Sequence, residues 1–163
     1  MNYSVKEYLL DDLFDRWLRT QFGEFVDLSE PRQIFVATWE FWQGVNFDGL
    51  CLYFHNKTYS LRFAVQALTA IGAHQTAAIV TKAVNCVFPN GIPESDDVIR
   101  SESERICFHD PLAFHIREVL EELNSEFDLD SDHVPSLMFD FVRKYPEEFV
   151  IPVDDLIRAE NGE

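Results

Sequence analysis

The chain has 163 residues, of which 47% are hydrophobic and 14% aromatic, and its formal net charge at pH 7 is -16. This apolar content is enough for one folded core and excludes an acidic disordered tail, because disordered chains lack the large side chains that bury surface. The negative charge disfavours direct binding to nucleic acid or to an anionic membrane, since both would repel it.

Helical periodicity runs through almost the whole chain, and no alternation persists long enough to predict a sheet. Helix boundaries are indicated by a capping box at Ser4, by Pro31 in a first turn and by Gly72 at a helix end. The helices predicted in this half cover residues 4–20, 30–43, 58–70 and 75–87. The second is apolar nearly all round, which is typical of a helix at the centre of a core. It is expected to end by Gly44, and a Gly- and Asn-containing stretch follows to Asn56.

The stretch 88–93 is a turn, Phe-Pro-Asn-Gly-Ile-Pro, and the chain is strongly acidic beyond it. Ser95 caps a short helix that ends near Cys107, and Asp110 caps a longer one. On the longer helix the residues expected to face the core are Leu112, Ile116, Val119, Leu120 and Leu123, and those on the opposite face are Glu118, Glu121, Glu122 and Ser125. A helix over 134–145 and a short segment over 154–158 complete the prediction. The expected fold is an all-α single compact domain spanning residues 1–163, with a strongly acidic surface.

The charge is concentrated at one end of the chain. Residues 1–30 carry seven acids and three bases, residues 31–93 two and four, and residues 94–163 twenty and six. Repulsion among so many like charges destabilises a folded chain, so we expect the charge to have a use. The candidate uses are solubility, ion binding and the binding of a basic partner. The candidate partner-binding residues are Glu118, Glu121, Glu122, Glu126, Asp128, Asp130 and Asp132, with Asp11, Asp12 and Asp15 on the first helix. From the residues alone, an ordinary solvated helix face is the favoured explanation of the glutamates.

Catalytic and metal sites are poorly supported by the residue spacing. Cys51 and His55 would meet on one helical turn, but such residues among aromatic side chains usually belong to the core. The three cysteines include no C-x-x-C pair, so we expect buried thiols in a reducing cytoplasm and no structural zinc. Residues 128–132 begin like a calcium loop, yet His133 and Phe139 stand where Gly and Glu are needed. We expect no enzyme activity, no metal and no cofactor.

Several blocks of the middle region resemble a bacterial family of small all-helical domains. The blocks are Val45–Asn56, Ala67-Leu68, Ile71-Gly72-Ala73, Thr76-Ala77 and Phe88-Pro89-Asn90-Gly91. In that family a Gly-Gly-Phe-x-Gln-Tyr-Phe-x-Asn signature precedes an Ile-Gly-Ala helix junction. The chain departs from the signature at Asp48, Leu50 and Leu52. The resemblance covers residues 30–95.

Together with the acidity and the mass of 19.0 kDa, these blocks make the chain similar to the DNA-mimic proteins of that family. The resemblance implies binding to the DNA-binding face of a helix-turn-helix repressor of the xenobiotic-response-element type, which relieves repression. The implied partner is a basic, dimeric DNA-binding protein, whose Lys and Arg side chains would meet carboxylates instead of phosphates.

Two alternatives to mimicry stay open. The first is a small-molecule-binding or enzymatic domain that uses the segment Asn46–Asn56, where the family signature lies. The second is a non-specific acidic chaperone for basic proteins. The sequence also leaves open whether a monomer or a homodimer is the active form.

Overall fold

All regular structure is helical in the part of the chain that the structure, a computed structural model, describes: residues 5–20, 25–128, 132–150 and 158, without the side chains of 16–20 and 128. The α-helices are α1 Val5–Thr20, α2 Glu30–Asn56, α3 Thr58–Ile71, α4 His74–Val87, α5 Asp96–Glu104, α6 Phe114–Asp128, α7 Val134–Lys144 and α8 Pro146–Phe149. Short 3-10 turns span Phe25–Asp27 and Pro111–Ala113, and a π turn spans Arg105–His109. The predicted all-α class is confirmed.

Helix α2 is the centre of the bundle. It packs against α1, α3, α5, α6, α7 and α8, and its Phe35, Trp39 and Phe41 side chains have no exposed surface. The Phe41 ring meets Tyr53 and Phe127 edge-on, with centroids 5.2 and 5.6 Å away. Fully burying a side chain of the size of Phe stabilises the fold by about 1.5–3 kcal/mol. The expectation that this apolar helix lies at the core is therefore confirmed.

The predicted end of α2 at Gly44 is wrong, because this glycine lies inside the helix. A Cβ atom on Gly44 would lie 2.9 Å from Cδ2 of Tyr53, so the missing side chain lets the ring pack closely. The helix bends instead at Gly49, whose φ of 77° and ψ of 171° are essentially restricted to glycine. At this bend the backbone N–H of Leu50 donates to Oδ1 of Asn124 on α6, at 2.9 Å. A kinked helix thus covers the Gly- and Asn-containing stretch to Asn56 that was expected to follow the end of α2.

Most other predicted boundaries agree with the structure to within two residues. Helix α3 ends at Gly72, a left-handed cap with a φ of 92°, as the glycine there indicated. The helix expected to reach Cys107 is α-helical only to Glu104 and continues as the π turn. Of the predicted segment 154–158, only Arg158 lies within the described residues. No helix in the described ranges is long and apolar enough to cross a membrane.

The predicted inner face of α6 is partly wrong. Leu120 and Leu123 are buried as expected, and Ile116 packs against the core. Leu112, however, is 85% exposed and Val119 is 36% exposed. Leu112 lies in the 3-10 turn before α6, so the α-helical period that placed it inside does not apply to it.

The expectation of three buried thiols is wrong for two of them. Cys51 on α2 and Cys107 in the π turn form a disulfide, with their Cα atoms 5.8 Å apart. Cys86 on α4 is a free cysteine and is partly buried. The paired residues are 56 positions apart in the chain, and packing of α5 and the π turn beside α2 brings them together. Sequence spacing alone carries no such information.

We expect Cys107→Ser to lower the free energy of unfolding by about 2–4 kcal/mol, because the disulfide closes a long loop and restricts the unfolded chain. Urea unfolding without reductant measures this change. Cys86→Ser is the matched control and should leave the midpoint nearly unchanged. Reductant should lower the urea midpoint of the wild-type protein to that of Cys107→Ser. Identical wild-type midpoints with and without reductant would contradict the prediction.

Candidate protein-binding surface on α6

Helix α6 is held in one orientation by contacts on its inner side. Its Leu120, Leu123 and Phe127 side chains are buried, and the amide of Asn124 accepts the hydrogen bond from the bend of α2. These contacts leave Glu118, Glu121 and Glu122 exposed on the outer side. The exposed face that the sequence predicted for these three glutamates is confirmed.

The three glutamates form a dense anionic row, which we call the acidic face. They lie within four residues of helix, or about 6 Å of axis, with neighbouring Cβ atoms about 5–6 Å apart. The mean spacing is about 3 Å of axis per charge, compared with roughly 1.7 Å in duplex DNA. The acidic face can therefore present acceptor oxygens at about half the linear charge density of DNA.

None of the three glutamates takes part in the ion pairs found among the described residues. The nearby Arg117 is directed elsewhere, because its Nη1 donates to the backbone carbonyls of Ile106 and Asp110, at 2.8 Å each. The charge of the acidic face is consequently not compensated by a neighbouring base in this part of the chain.

Several acids outside the acidic face are paired with bases. The pairs include Arg32–Glu148, Arg62–Asp96, Arg105–Glu102 and Arg105–Asp110. Among the predicted site residues, Glu126 belongs to this group, because Lys82 on α4 lies 3.2 Å from its Oε1. Both side chains are more than half exposed, so the pair contributes little to stability, but it reduces the negative charge at the far end of α6.

Two of the other predicted residues make structural contacts. Oδ2 of Asp132 accepts the backbone N–H of Thr76 in the first turn of α4, at 2.7 Å. A carboxylate at a helix N-terminus satisfies a free N–H and interacts well with the helix dipole. Asp11 on α1 accepts a hydrogen bond from Nε2 of Gln43 on α2, at 2.7 Å. These contacts give both residues a role in holding helices together, whatever else they bind.

The remaining predicted residues are divided between α1 and the end of α6. Asp12 is half-buried and Asp15 is exposed on α1, whose main neighbours are α7 and α2, whereas α6 packs mainly on α4 and α2. Asp128 ends α6, and its side chain, like the whole of Asp130, lies outside the described residues. The structure thus gathers Glu118, Glu121 and Glu122 on one face and places the α1 acids on a separate helix.

The segment proposed for a small-molecule site is mainly structural. Tyr53 is 1% exposed, with its hydroxyl 3.5 Å from Oγ of Ser60, and burial raises its pKa above the usual range. The side chain of Asn46 donates to the carbonyl of Trp42 one turn earlier, at 2.7 Å. A cavity of about 220 Å³ is lined by residues outside this segment: Glu30, Gln33, Ile34, Phe63, Gln66 and Ala67.

Cys51 and His55, which the sequence placed one helical turn apart, are not arranged as a nucleophile and its base. The sulfur of Cys51 is bonded to Cys107, and the His55 ring meets Phe108 edge-on, with centroids 6.3 Å apart. Within the described ranges, no three His, Cys, Asp or Glu side chains are grouped so that they could hold a metal ion.

An exposed aromatic residue that the sequence pattern did not indicate lies beside the acidic face. Phe114, 59% exposed, lies four residues before Glu118 and therefore on the same side of α6. That spacing was readable in the sequence. An outward Phe, however, is not what an amphipathic pattern predicts, so only the folded structure reveals its exposure.

The described part of the chain is thus a helical bundle with an exposed row of carboxylates on a fixed helix. A family model described as DMP19-like protein matches residues 26–145, a range that includes α6. The chain belongs to the DMP19-like family, a family of non-enzymatic DNA-mimic proteins that bind DNA-binding proteins. The resemblance stated from the sequence is thereby confirmed. No curated protein and no solved structure matches the chain.

We expect Asp132→Ala to lower the free energy of unfolding by about 0.5–2 kcal/mol, the usual cost of losing a carboxylate that caps a helix. Urea unfolding of the variant checks this value. Glu121→Ala is the control, because that side chain is exposed and its removal should lower the free energy of unfolding by less than about 0.5 kcal/mol. Equal losses in the two variants would show that the contact with Thr76 does not stabilise α4.

Proposed function

We propose that this protein binds the DNA-binding face of a helix-turn-helix repressor of the xenobiotic-response-element type, blocks its access to operator DNA and so relieves repression. The observation that carries the proposal is the acidic face, with its three exposed carboxylates, in a chain of the DNA-mimic family. Repressors hold DNA largely through Lys and Arg contacts to phosphates. Carboxylates accept strong charge-assisted hydrogen bonds from the same side chains.

The fixed position of α6 supports this role. If charged side chains stand on a flexible segment, ordering that segment on binding costs conformational entropy and weakens the complex. Here the helix is already held to α2 through Asn124 and to the preceding turn through Arg117. The carboxylates therefore stand on a rigid support before the partner arrives, as phosphates do on duplex DNA.

The partner that fits is a dimeric helix-turn-helix factor, and the protein acts with it in the cytoplasm as a monomer or a homodimer. The other predicted carboxylates, on α1 and at 126–132, would extend the contact beyond the acidic face. Disulfides are rare in reducing compartments, so this location predicts that part of the Cys51–Cys107 pair is reduced in cells. Alkylation of free thiols in freshly lysed cells measures that fraction.

We expect the protein to displace operator DNA from its repressor, because both use the same basic surface. Fluorescence anisotropy of labelled operator DNA bound to the repressor should fall as the protein is added. Direct binding of the protein to the repressor, measured without DNA, should weaken with salt, since the screening length shortens to about 8 Å at physiological ionic strength. The protein alone should give no gel shift with DNA. A stable complex of repressor, operator DNA and this protein would contradict mimicry.

We expect the combined change Glu118→Gln, Glu121→Gln and Glu122→Gln to weaken repressor binding about tenfold, while each single change is nearly silent. Exposed charge pairs contribute about 0.2–1 kcal/mol each, and tenfold in affinity corresponds to about 1.4 kcal/mol. Titration calorimetry measures the affinities, and far-UV circular dichroism checks the fold.

The matched control for this triple variant removes the same charge elsewhere, with Glu94→Gln, Asp97→Asn and Glu147→Gln at exposed positions on other elements. It should bind nearly as well as the wild type. Equal weakening in both triples would indicate attraction by net charge only. Normal binding by the α6 triple together with inactivity of a folded Asn56→Asp variant would favour the small-molecule site.

A further inference from the structure

An exposed apolar cluster lies at the N-terminal end of α6, directly beside the acidic face. Phe108, Leu112 and Phe114 are 50%, 85% and 59% exposed, and they occur within seven residues of chain. Scattered single exposed apolar residues are ordinary on protein surfaces, whereas grouped ones often mark binding sites. This cluster is therefore a candidate contact surface.

The turn that carries the cluster is held in place by several bonds. The disulfide fixes Cys107 to α2, and the N–H of Asp110 donates to the carbonyl of Arg105, at 2.8 Å. Oδ1 of Asp110 accepts the N–H of Leu112, at 2.9 Å, while Arg117 binds two carbonyls of the same turn. The apolar side chains thus project from a rigid support, and a partner that buries them pays little ordering entropy.

Phe114, the last residue of the apolar cluster, begins α6 and is adjacent to the carboxylates on that helix. Phe114 and Glu118 are four residues apart and Glu121 follows three residues later, so all three lie on one side of α6. Apolar anchors bordered by polar groups are the usual arrangement at the centre of a protein interface. Charge complementarity then defines the partner, because it must be basic where it meets the glutamates and apolar where it meets the cluster.

We propose that Leu112 and Phe114 are apolar anchors for the partner, which presents an amphipathic basic helix with aliphatic side chains beside its Lys and Arg. The proposal deepens the proposed function and rests on it for the identity of the natural partner. DNA-mimicking charge alone attracts any basic protein, including histone-like ones. An apolar anchor selects those with a matching apolar surface, and because salt does not screen it, this part of the affinity persists at high ionic strength.

Two synthetic helical peptides test the anchors without knowledge of the natural partner. One is built of Leu and Lys with Leu at i, i+3, i+4 and i+7, and the other replaces each Leu by Ala while keeping length and charge. Fluorescence anisotropy at two salt concentrations measures binding of each to the wild-type protein. We expect the Leu peptide to bind at least about tenfold more tightly, since it buries apolar surface that the Ala peptide lacks.

Protein variants assign the preference to the anchors. The double variant Leu112→Ser and Phe114→Ser should lose the preference for the Leu peptide and keep the affinity for the Ala peptide. Val26→Ser with Val150→Ser, at residues that are 64% and 71% exposed, is the control and should keep the preference. The α6 triple glutamine variant should weaken both peptides and reduce their salt dependence while retaining the preference.

The proposal is overturned if the wild-type protein binds both peptides equally, or if the double variant retains the preference. Circular dichroism and thermal unfolding check the fold, and Leu112→Ser alone, at the more exposed position, replaces the double variant if that one does not fold. If the protein does not displace operator DNA but the double variant loses the preference for the Leu peptide, the proposed function is contradicted and the anchors are supported. Displacement without any peptide preference would contradict the anchors and not the function.

Discussion

The contact between α2 and α6 at Gly49 and Asn124 determines how the acidic face is presented. The bend at Gly49 frees the N–H of Leu50 from the helix, and the side chain of Asn124 accepts it. A Cβ on Gly49 would lie 3.1 Å from Nδ2 of Asn124, so the glycine is needed for the close approach as well as for its backbone conformation. This hydrogen bond joins α6 to α2 in an orientation in which Leu120 and Leu123 face the core and the glutamates face outward.

The family signature acquires a physical meaning from this contact. Gly49, Tyr53 and Phe54 of the signature lie in the second half of α2, where the glycine makes the bend and the two aromatic residues fill the core. The segment that the sequence offered as a binding pocket also supports the helix that carries the acidic face, through the hydrogen bond from Leu50 to Asn124.

The ion pairs show which acids are already matched with a base. Repulsion between many carboxylates destabilises a folded chain, and pairs such as Lys82–Glu126 and Arg62–Asp96 reduce it at particular places. The acidic face lacks such pairs among the described residues, which leaves its attraction for a basic partner intact. In the proposed complex, the apolar residues beside it would add selectivity, because Coulombic attraction is long-ranged but discriminates poorly between basic proteins.

The sequence by itself determined the helical class, the boundaries of α1, α3, α4 and α7, and the outward face of Glu118, Glu121 and Glu122. These follow from local periodicity and capping, which depend on residues a few positions apart. Only the tertiary structure decided that Gly44 lies inside α2, that Cys51 pairs with Cys107, that Asp132 caps α4 and that Leu112 is exposed. Each of these depends on a neighbour that is distant in the chain or on a turn that breaks the helical period, and neither leaves a pattern in the sequence.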